Sequence, residues 1–171
     1  MNTKSIMIVG VGGQGSLLAS RMMGHVLLAQ GYDVKVSEVH GMSQRGGSVV
    51  TYVKYGDKVA SPIIEKGEAD LIISFEQLEA ARWIPFLKKG GKIVVSTQKT
   101  DPMPVITGSA TYPENIIEKI KTLGIDIIAI DALELAESLG NTKASNVVIM
   151  GAVAKRLDFE EKFWQDAIVE C

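Results

Sequence analysis

The stretch Gly10-Val11-Gly12-Gly13-Gln14-Gly15 decides how this chain folds at its start. It follows an apolar run at residues 6–9 and precedes apolar residues at helical spacing, so it lies where a strand turns into a helix. Glycines at such a turn let the backbone bend tightly and bring its amides close to a phosphate group, and the following helix points its positive end at that group. The motif predicts a nucleotide-like or phosphate-bearing ligand, and a tight structural turn is the alternative.

Composition and charge exclude several classes of protein. Of the 171 residues, 46% are apolar and 22% are charged, and the net charge of −2 gives no overall basic surface for nucleic acid. The single cysteine, Cys171, excludes a disulfide framework and any iron–sulfur cluster held by cysteines of this chain. The uncharged stretch at residues 5–20 is too short and too polar to cross a bilayer, so we expect a cytoplasmic protein without membrane contact.

Strand and helix patterns alternate along the chain, which indicates an α/β fold. The patterns predict strands at residues 5–9, 33–39, 48–55, 71–75, 92–96 and 125–130. They predict helices at residues 13–30, 76–89, 113–123, 132–139 and 160–169. One more helix is predicted to end near residue 157, with Thr142 or Ser145 as its N-cap. An extended stretch is expected around Pro102 and Pro104.

The connection between the second and third strands, residues 40–47, is too short for a parallel crossover, which needs a dozen or more residues. These two strands must therefore be antiparallel neighbours or lie apart. We expect a single domain over residues 1–171 with a three-layer α/β/α, Rossmann-like fold and a mostly parallel, mixed sheet.

That connection carries a second glycine-rich segment, His40-Gly41-Met42-Ser43-Gln44-Arg45-Gly46-Gly47. Gln44 and Arg45 can bind a carboxylate or phosphate group, and Gly46 and Gly47 allow a ligand or partner to approach the backbone. A glycine-rich hairpin with a surface arginine is the alternative. His40 can exchange protons, but no partner carboxylate or nucleophile is visible, so a positional role is favoured.

Two further polar residues have open assignments. Glu38 ends the second strand, where NAD-binding folds place the carboxylate that binds the ribose. A solvent-facing or loop-capping carboxylate is favoured instead, because the antiparallel strand that follows breaks the usual order. Asn146 can cap a helix or contact a ligand, and capping is favoured. No metal-ligand cluster and no nucleophile elbow occur in the sequence, so the residues alone describe a cofactor- or partner-binding domain without its own catalytic apparatus.

The two glycine motifs together resemble the gamma-type subunits of the 2-oxoacid:ferredoxin oxidoreductases, and most closely the small subunits of the indolepyruvate type. The similarity continues through Ser74-Phe75-Glu76-Gln77-Leu78-Glu79-Ala80, the segment 97–105 and the stretch from Gly140 to Gly151, so it covers nearly the whole chain. Chains of this family often run further, and the last helical pattern has no stop signal. The resemblance therefore allows the native chain to extend past residue 171.

The resemblance implies a role in a hetero-oligomeric oxidoreductase complex of anaerobic aromatic amino acid degradation. Such complexes decarboxylate a 2-oxoacid oxidatively to an acyl-CoA and pass the electrons to ferredoxin. Thiamine diphosphate and the iron–sulfur clusters are expected in a large partner subunit, and this chain is expected to be inactive alone. Coenzyme A (CoA) is expected near this chain as co-substrate. The resemblance implies that the second motif, from Met42 to Gly47, lines the face toward the catalytic subunit. The implied cofactor-binding residues are Gly10, Gly12, Gly13, Gln14, Gly15, Ser43, Gln44, Arg45, Gly46, Gly47 and Asn146.

Two other functions stay open from the sequence. One is a free-standing NAD- or nucleotide-binding oxidoreductase that uses Glu38 on the ribose. The other is a structural assembly module whose glycine loop is empty.

Overall fold

The computed structural model describes residues 3–39 and 46–171. In these two ranges six strands form: β1 Lys4–Val11, β2 Asp33–Val39, β3 Ser48–Gly56, β4 Ala69–Ser74, β5 Leu87–Ser96 and β6 Asp126–Ile130. Seven helices accompany them: α1 Ser16–Ala29, α2 Gln77–Trp83, α3 Met103–Ile106, α4 Ile116–Thr122, α5 Ala132–Ser138, α6 Ser145–Ala154 and α7 Glu161–Glu170. Short 3₁₀ turns occupy Ile84–Phe86 and Thr142–Ala144.

The six strands form one mixed sheet in the order β2-β3-β1-β4-β5-β6. Strands β1, β4, β5 and β6 are parallel, and β3 is antiparallel to both β1 and β2. Of the two arrangements predicted for the second and third strands, antiparallel neighbours or strands that lie apart, the structure shows the first. Because the four parallel strands point the same way, their carboxyl ends meet at one edge of the sheet, which we call the carboxyl edge.

Helices cover both faces of the sheet, as the predicted three-layer fold requires. Alternate residues of β1 point to opposite faces: Ile6 and Ile8 join one core cluster, and Met7 and Val9 join the other. The first cluster packs against α1, α6 and α7, and the second packs against α2 and α4. No helix in the described part of the chain is both long and apolar enough to span a membrane.

The helix predicted for residues 76–89 is wrong in its second half. The helix ends at Trp83, a 3₁₀ turn follows, and residues 87–91 belong to β5. The pairing of β4 with β5 is irregular between Ala69 and Leu71, which lie opposite Leu87 and Lys92. A Cβ on Gly91 would lie 2.9 Å from the carbonyl oxygen of Ala69, so this glycine permits a strand irregularity and does not end a helix.

The stretch predicted to be extended around Pro102 and Pro104 contains the helical turn α3. Pro102 precedes the turn and its carbonyl accepts hydrogen bonds from the amides of Val105 and Ile106, at 2.8 and 3.1 Å. A proline in the first turn of a helix loses no hydrogen bond, because the amide it lacks would have no partner within the helix. The two prolines thus start a helical turn and do not exclude one.

Candidate functional site

The glycine turn, residues 10–15, connects β1 to α1 at the carboxyl edge. Gly13 and Gly15 adopt φ values of 97° and 86°, which L side chains rarely adopt. A Cβ on Gly15 would lie only 2.3 Å from Nδ2 of Asn146. The turn therefore requires glycine at these positions for its backbone conformation, and at Gly15 also for close packing against α6.

Gln14 and Gly10 hold the turn against the end of β4. Oε1 of Gln14 accepts a hydrogen bond from the amide of Val11 at 2.8 Å, and its Nε2 donates to the carbonyl of Phe75 at 3.3 Å. A Cβ on Gly10 would lie 2.8 Å from Oε1 of Gln14 and 3.1 Å from Cβ of Phe75. Both ends of the Gln14 side chain are thus engaged inside the protein, so this residue supports the turn, and its contact with a cofactor stays a prediction.

The two glycine motifs meet in space. The amide of Gly12 donates a hydrogen bond to the carbonyl of Gly47 at 2.9 Å, and Gly46 has a φ of 78°. The predicted site residues Ser43, Gln44 and Arg45, together with His40 and Met42, lie outside the described residues. The end of the second motif therefore lies directly beside the first.

A cleft of about 370 Å³, the first cleft, opens on one side of the glycine turn. It lies between the turn and helices α5 and α6, beside the ends of β4 and β5. Its described lining contains one cation, Lys143, and no carboxylate, and the full lining is Gly13, Gln14, Gly15, Phe75, Ser96, Gln98, Ala132, Leu133, Thr142, Lys143, Ser145, Asn146 and Ile149.

The polar groups of the first cleft match an anionic ligand. Helix α1 starts directly after Gly15 and has no acidic residue in its first turn. Its first intrahelical bond runs from the amide of Ala19 to the carbonyl of Gly15, so the preceding amides have no partner within the helix. Free amides, the positive end of α1 and the exposed Lys143 together favour a phosphate group.

The prediction that Asn146 caps a helix is wrong. Helix α6 begins at Ser145, and its N-cap, Ala144, makes no side-chain hydrogen bond, so neither Thr142 nor Ser145 caps it either. Asn146 is 8% exposed and lines the first cleft against Gly15. Its Oδ1 accepts from the amide of Val147 at 2.8 Å. The structure thus brings Asn146 to the glycine turn, which spacing along the sequence could not show.

A second cleft of about 290 Å³ lies on the other side of the glycine turn. Gly46 and Gly47 line it together with the first turn of α2 and the start of α3, and its full described lining is Val11, Gly46, Gly47, Ser48, Glu76, Leu78, Glu79, Arg82, Thr100, Pro102 and Met103. Two of these residues, Glu76 and Glu79, are carboxylates that are 1% and 4% exposed. A polar group is buried at low cost only when it is hydrogen-bonded, so the partners of these two carboxylates show what role the cleft has.

Glu76 has donors from three parts of the chain. Its Oε1 accepts hydrogen bonds from the hydroxyl of Tyr112 and from the amide of Thr100, the latter at 3.2 Å. Its Oε2 accepts from the amide of Glu79 at 2.8 Å and so caps α2. Burial, and next the hydrogen bond to Glu76, raise the pKa of the Tyr112 phenol well above its ordinary value of 10. Glu76 thus ties both ends of the segment 100–112 to α2.

Glu79 fixes the end of the second glycine motif. Its Oε2 accepts hydrogen bonds from the hydroxyl of Ser48 and from Nε1 of Trp83, the latter at 3.2 Å. Its Oε1 lies 3.5 Å from a guanidinium nitrogen of Arg82. Since Ser48 follows Gly47 directly, this carboxylate anchors the point where the second motif rejoins the sheet.

Sequence reasoning missed the roles of Glu76 and Glu79. Both stand in the segment 74–80, and their position directly after a buried strand is the signal that could have pointed to the carboxyl edge. Acidic residues in the first turn of a helix are common on protein surfaces, so nothing in the spacing showed that these two are buried.

Glu38 is held by the helix that follows the glycine turn. Its Oε1 accepts a hydrogen bond from the hydroxyl of Ser20 at 2.9 Å. Strand β3 lies between β2, which carries Glu38, and β1, which leads into the turn. An NAD-binding fold places the strand with the ribose-binding acid next to β1, so this arrangement differs from that fold.

The described residues contain no group of three or more histidine, cysteine, aspartate or glutamate side chains that could hold a metal ion. Over the same residues the only thiol is that of the exposed Cys171.

Comparison with known proteins identifies relatives over almost the full chain. The family model described as pyruvate ferredoxin/flavodoxin oxidoreductase matches residues 5–170. The indolepyruvate oxidoreductase subunit IorB of Pyrococcus horikoshii is 44% identical over 164 residues, which cover 93% of this chain and 80% of that protein.

Solved structures share the fold at lower identity. The gamma subunit of a keto/oxoacid ferredoxin oxidoreductase from Geobacter sulfurreducens superimposes with a TM-score of 0.72 at 20% identity, covering 99% of this chain and 85% of that one. A 2-oxoglutarate:ferredoxin oxidoreductase from Magnetococcus marinus, with 2-oxoglutarate, coenzyme A and succinyl-CoA bound, gives 0.74 at 16% identity, covering 99% of this chain and 27% of that one.

Proposed function

Because this chain belongs to the pyruvate ferredoxin/flavodoxin oxidoreductase family, we propose that it is the small subunit of an indolepyruvate-type 2-oxoacid:ferredoxin oxidoreductase. The complex decarboxylates an arylpyruvate oxidatively, transfers the acyl group to CoA and passes the electrons to ferredoxin. The observation that carries this proposal is the 44% identity to an indolepyruvate oxidoreductase subunit over 93% of the chain.

The reacting cofactors belong to a large partner subunit. Thiamine diphosphate would supply the decarboxylation chemistry and iron–sulfur clusters the electron transfer. The donor set of this chain does not fit a cluster, since Cys171 is its single cysteine and the described residues contain no metal-binding group. We therefore assign to this chain the binding and positioning of the co-substrate and the partner.

The first cleft is the place where this chain contacts CoA. CoA carries phosphate groups, and the cleft offers the positive end of α1, the side chains of Ser96 and Gln98, and the cation Lys143 at its rim. No carboxylate among the described lining residues repels an anion there. In this role the glycine turn shapes the cleft, and Lys143 supplies attraction for a phosphate group.

A titration of the assembled complex with CoA tests this assignment. Replacing Lys143 with Ala removes one charge–phosphate contact, which we expect to weaken CoA binding about tenfold, or about 1.4 kcal/mol. Lys162 on α7 is also exposed and lies outside both clefts, so Lys162→Ala is the matched control. Isothermal titration calorimetry measures the affinity of each variant for CoA and, separately, for NAD. Equal CoA affinity of both variants removes Lys143 from the site, and tight NAD binding contradicts the CoA assignment.

Arg45 provides a second test that rests on the sequence. If this residue of the second motif contacts CoA or the partner, Arg45→Ala weakens the CoA-dependent turnover of the complex. Unchanged kinetics would remove Arg45 from the site. The isolated chain should reduce no dye with a 2-oxoacid as donor, and measurable activity would contradict the partner-subunit proposal.

A further inference from the structure

A third cleft, of about 250 Å³, opens at the edge of the sheet opposite the carboxyl edge. Lys4 and Asp70 of its lining belong to the first two residues of β1 and β4, and Lys88 belongs to the start of β5. We call this edge, where the parallel strands begin, the amino edge. The glycine turn and its two clefts lie at the other end of the same strands, so the third cleft is a separate feature of the molecule.

The charged side chains of the third cleft are mostly cations. Four cations line it: Lys4, Lys88, Lys92 and Arg156. The only carboxylate in the described lining is Asp70, and a second one, Asp126, lies outside the lining and pairs with Arg156. Two positive charges therefore remain without a carboxylate at this cleft, in a chain whose net charge is −2.

Asp70 places two of the lysines side by side. Its Oδ1 accepts hydrogen bonds from Nζ of Lys4, at 3.1 Å, and from Nζ of Lys88, and its Oδ2 accepts from the amide of Ser5 at 2.9 Å. The side chain of Asp70 is 18% exposed, and those of Lys4 and Lys88 are 44% and 41% exposed. An ammonium group has three donors, so each lysine keeps donors for a further acceptor.

The other two cations differ in how they are held. Lys92 forms no ion pair in the described part of the chain, so its ammonium group is available to an anion. Nη1 and Nη2 of Arg156 donate to both carboxylate oxygens of Asp126, at 2.8 and 2.7 Å, and its Nε is buried without a partner in those same residues. The guanidinium group is thus fixed in the wall of the cleft.

Tyr55 distinguishes the third cleft from an ordinary basic surface. It is 7% exposed, lines the cleft and lies opposite Lys4 in the pairing of β3 with β1. Its hydroxyl forms no hydrogen bond with another described residue, although nearly all buried polar groups have a partner. Burial, and next the charge of Asp70, raise the pKa of Tyr55 to about 12. The hydroxyl therefore keeps its proton near neutral pH and has a donor available for a ligand.

We propose that the third cleft binds a phosphate dianion, as inorganic phosphate or as the head of a small phosphate monoester. Lys4, Lys88 and Lys92 supply positive charge to the phosphate oxygens, and Tyr55 donates a hydrogen bond. The two uncompensated charges match the charge of about −2 on such a group near neutral pH. The volume lies below the roughly 300–1,000 Å³ of sites for drug-sized ligands, which suits a small ligand. The inference does not depend on the proposed function.

An NMR titration of the full-length, isotope-labelled chain with inorganic phosphate at constant ionic strength tests the proposal. The amides of Ile6 and Leu71 report on the third cleft, and those of Gly13 and Gly15 report on the glycine turn, where phosphate can bind separately. We expect shifts at Ile6 and Leu71 that saturate with a dissociation constant below about 10 mM. Shifts confined to the glycine turn, or shifts at the third cleft that do not saturate, overturn the proposal.

Glycerol 3-phosphate, titrated in the same way, separates the two sources of the phosphate group. Tighter binding than that of inorganic phosphate identifies a monoester as the ligand, and weaker binding identifies free phosphate. An oligoglutamate peptide is the third probe. If it shifts the amides of Ile6 and Leu71 at lower concentration than either phosphate, the cleft binds an acidic protein segment and the proposal is wrong.

A lysine pair tests whether a defined site or a general basic surface attracts the anion. Lys92→Ala should raise the dissociation constant measured at the third cleft about tenfold, since one charge–phosphate contact is lost. Lys89→Ala is the matched control, because Lys89 is an exposed lysine of the same strand and lies outside the described lining of the cleft. Its dissociation constant should change less than about twofold, because exposed charges at a distance are screened. Equal losses in the two variants contradict a defined site.

Tyr55→Phe separates a ligand contact from a structural role. Because the hydroxyl has no partner among the described residues, the melting temperature should stay within about 2 °C of the wild-type value. The dissociation constant for phosphate should rise about threefold, since one hydrogen bond to the ligand is lost. Wild-type phosphate affinity in Tyr55→Phe overturns the proposal, and so does a large fall in melting temperature, which would show that the hydroxyl supports the fold.

Discussion

The two clefts flank the same glycine turn at the same edge of the sheet, yet their polar groups serve different ends. In the first cleft the described lining has no carboxylate, and Lys143 reaches the rim. In the second cleft two buried carboxylates, Glu76 and Glu79, already accept hydrogen bonds from five donors of this chain. The first cleft therefore has polar groups available for a ligand, and the second uses its polar groups to hold loops in place.

Polarity and position at the carboxyl edge therefore do not by themselves indicate a binding site. What matters is whether the polar groups already have partners. Substitutions of the buried carboxylates in the second cleft should therefore affect folding, and substitution of the exposed Lys143 in the first should affect binding more than folding.

The largest effect should come from Glu76→Ala. The change leaves the hydroxyl of Tyr112 and the amides of Thr100 and Glu79 without their acceptor, and α2 loses its cap. We expect the free energy of unfolding to fall by about 3 kcal/mol, since the loss of a buried acceptor and of a helix cap act together. Urea denaturation followed by circular dichroism measures it.

Glu137→Ala is the control for that measurement, because Glu137 is an exposed residue on α5. The free energy of unfolding of Glu137→Ala should stay within about 0.5 kcal/mol of the wild-type value. If Glu76→Ala is no more destabilising than Glu137→Ala, the second cleft does not hold its loops through Glu76, and the contrast between the clefts disappears.

A smaller loss should follow Gly15→Ala in the first cleft. Alanine at a φ of 86° is strained, and its Cβ would meet Nδ2 of Asn146 at 2.3 Å. We expect a loss of about 2 kcal/mol. Part of this loss comes from the clash with Asn146. The double variant Gly15→Ala/Asn146→Ala should therefore lose about 1 kcal/mol less unfolding free energy than the sum of the two single losses, as measured in a double-mutant cycle. Strict additivity would show that Asn146 does not pack on the turn.

Only part of the fold could be predicted from the sequence. The alternation of strands and helices and the glycine turn followed from local patterns, and the length of one connection excluded a parallel pairing of β2 with β3. The end of α2 did not, because the strand irregularity at Gly90 and Gly91 depends on contact with Ala69, which lies in another strand.

The candidate site, too, could be predicted only in part. The motif predicts a tight backbone turn, and Gly13 and Gly15 have positive φ values in it. The prediction that Asn146 caps a helix was wrong. Its place against Gly15 depends on how α6 packs beside α1, which the local sequence does not show. The pairing of Glu76 with Tyr112 joins residues 36 positions apart. Such contacts depend on tertiary packing, which no local pattern encodes.

The smallest effect should come from Tyr112→Phe, which removes one donor from Glu76 and leaves the amides of Thr100 and Glu79 in place. We expect a loss of about 1 kcal/mol near neutral pH. The wild-type phenol should also make stability depend on pH. Its folded pKa is raised above 10 by burial and by Glu76, so the unfolded chain loses this proton first. The contribution is complete below about pH 10 and is lost as the pH rises toward the folded pKa.

Urea denaturation at about pH 8 and about pH 11 separates this contribution, because the unfolded phenol titrates between the two values. The stability difference between wild type and Tyr112→Phe should shrink at the higher pH. Burial raises the pKa of Tyr55 to about 12, but both proteins contain Tyr55, so it cancels in the comparison. A difference that stays constant with pH would show that the phenol is not held in its neutral form by Glu76. Glu76 would then hold the segment 100–112 through the amide of Thr100 and not through the phenol.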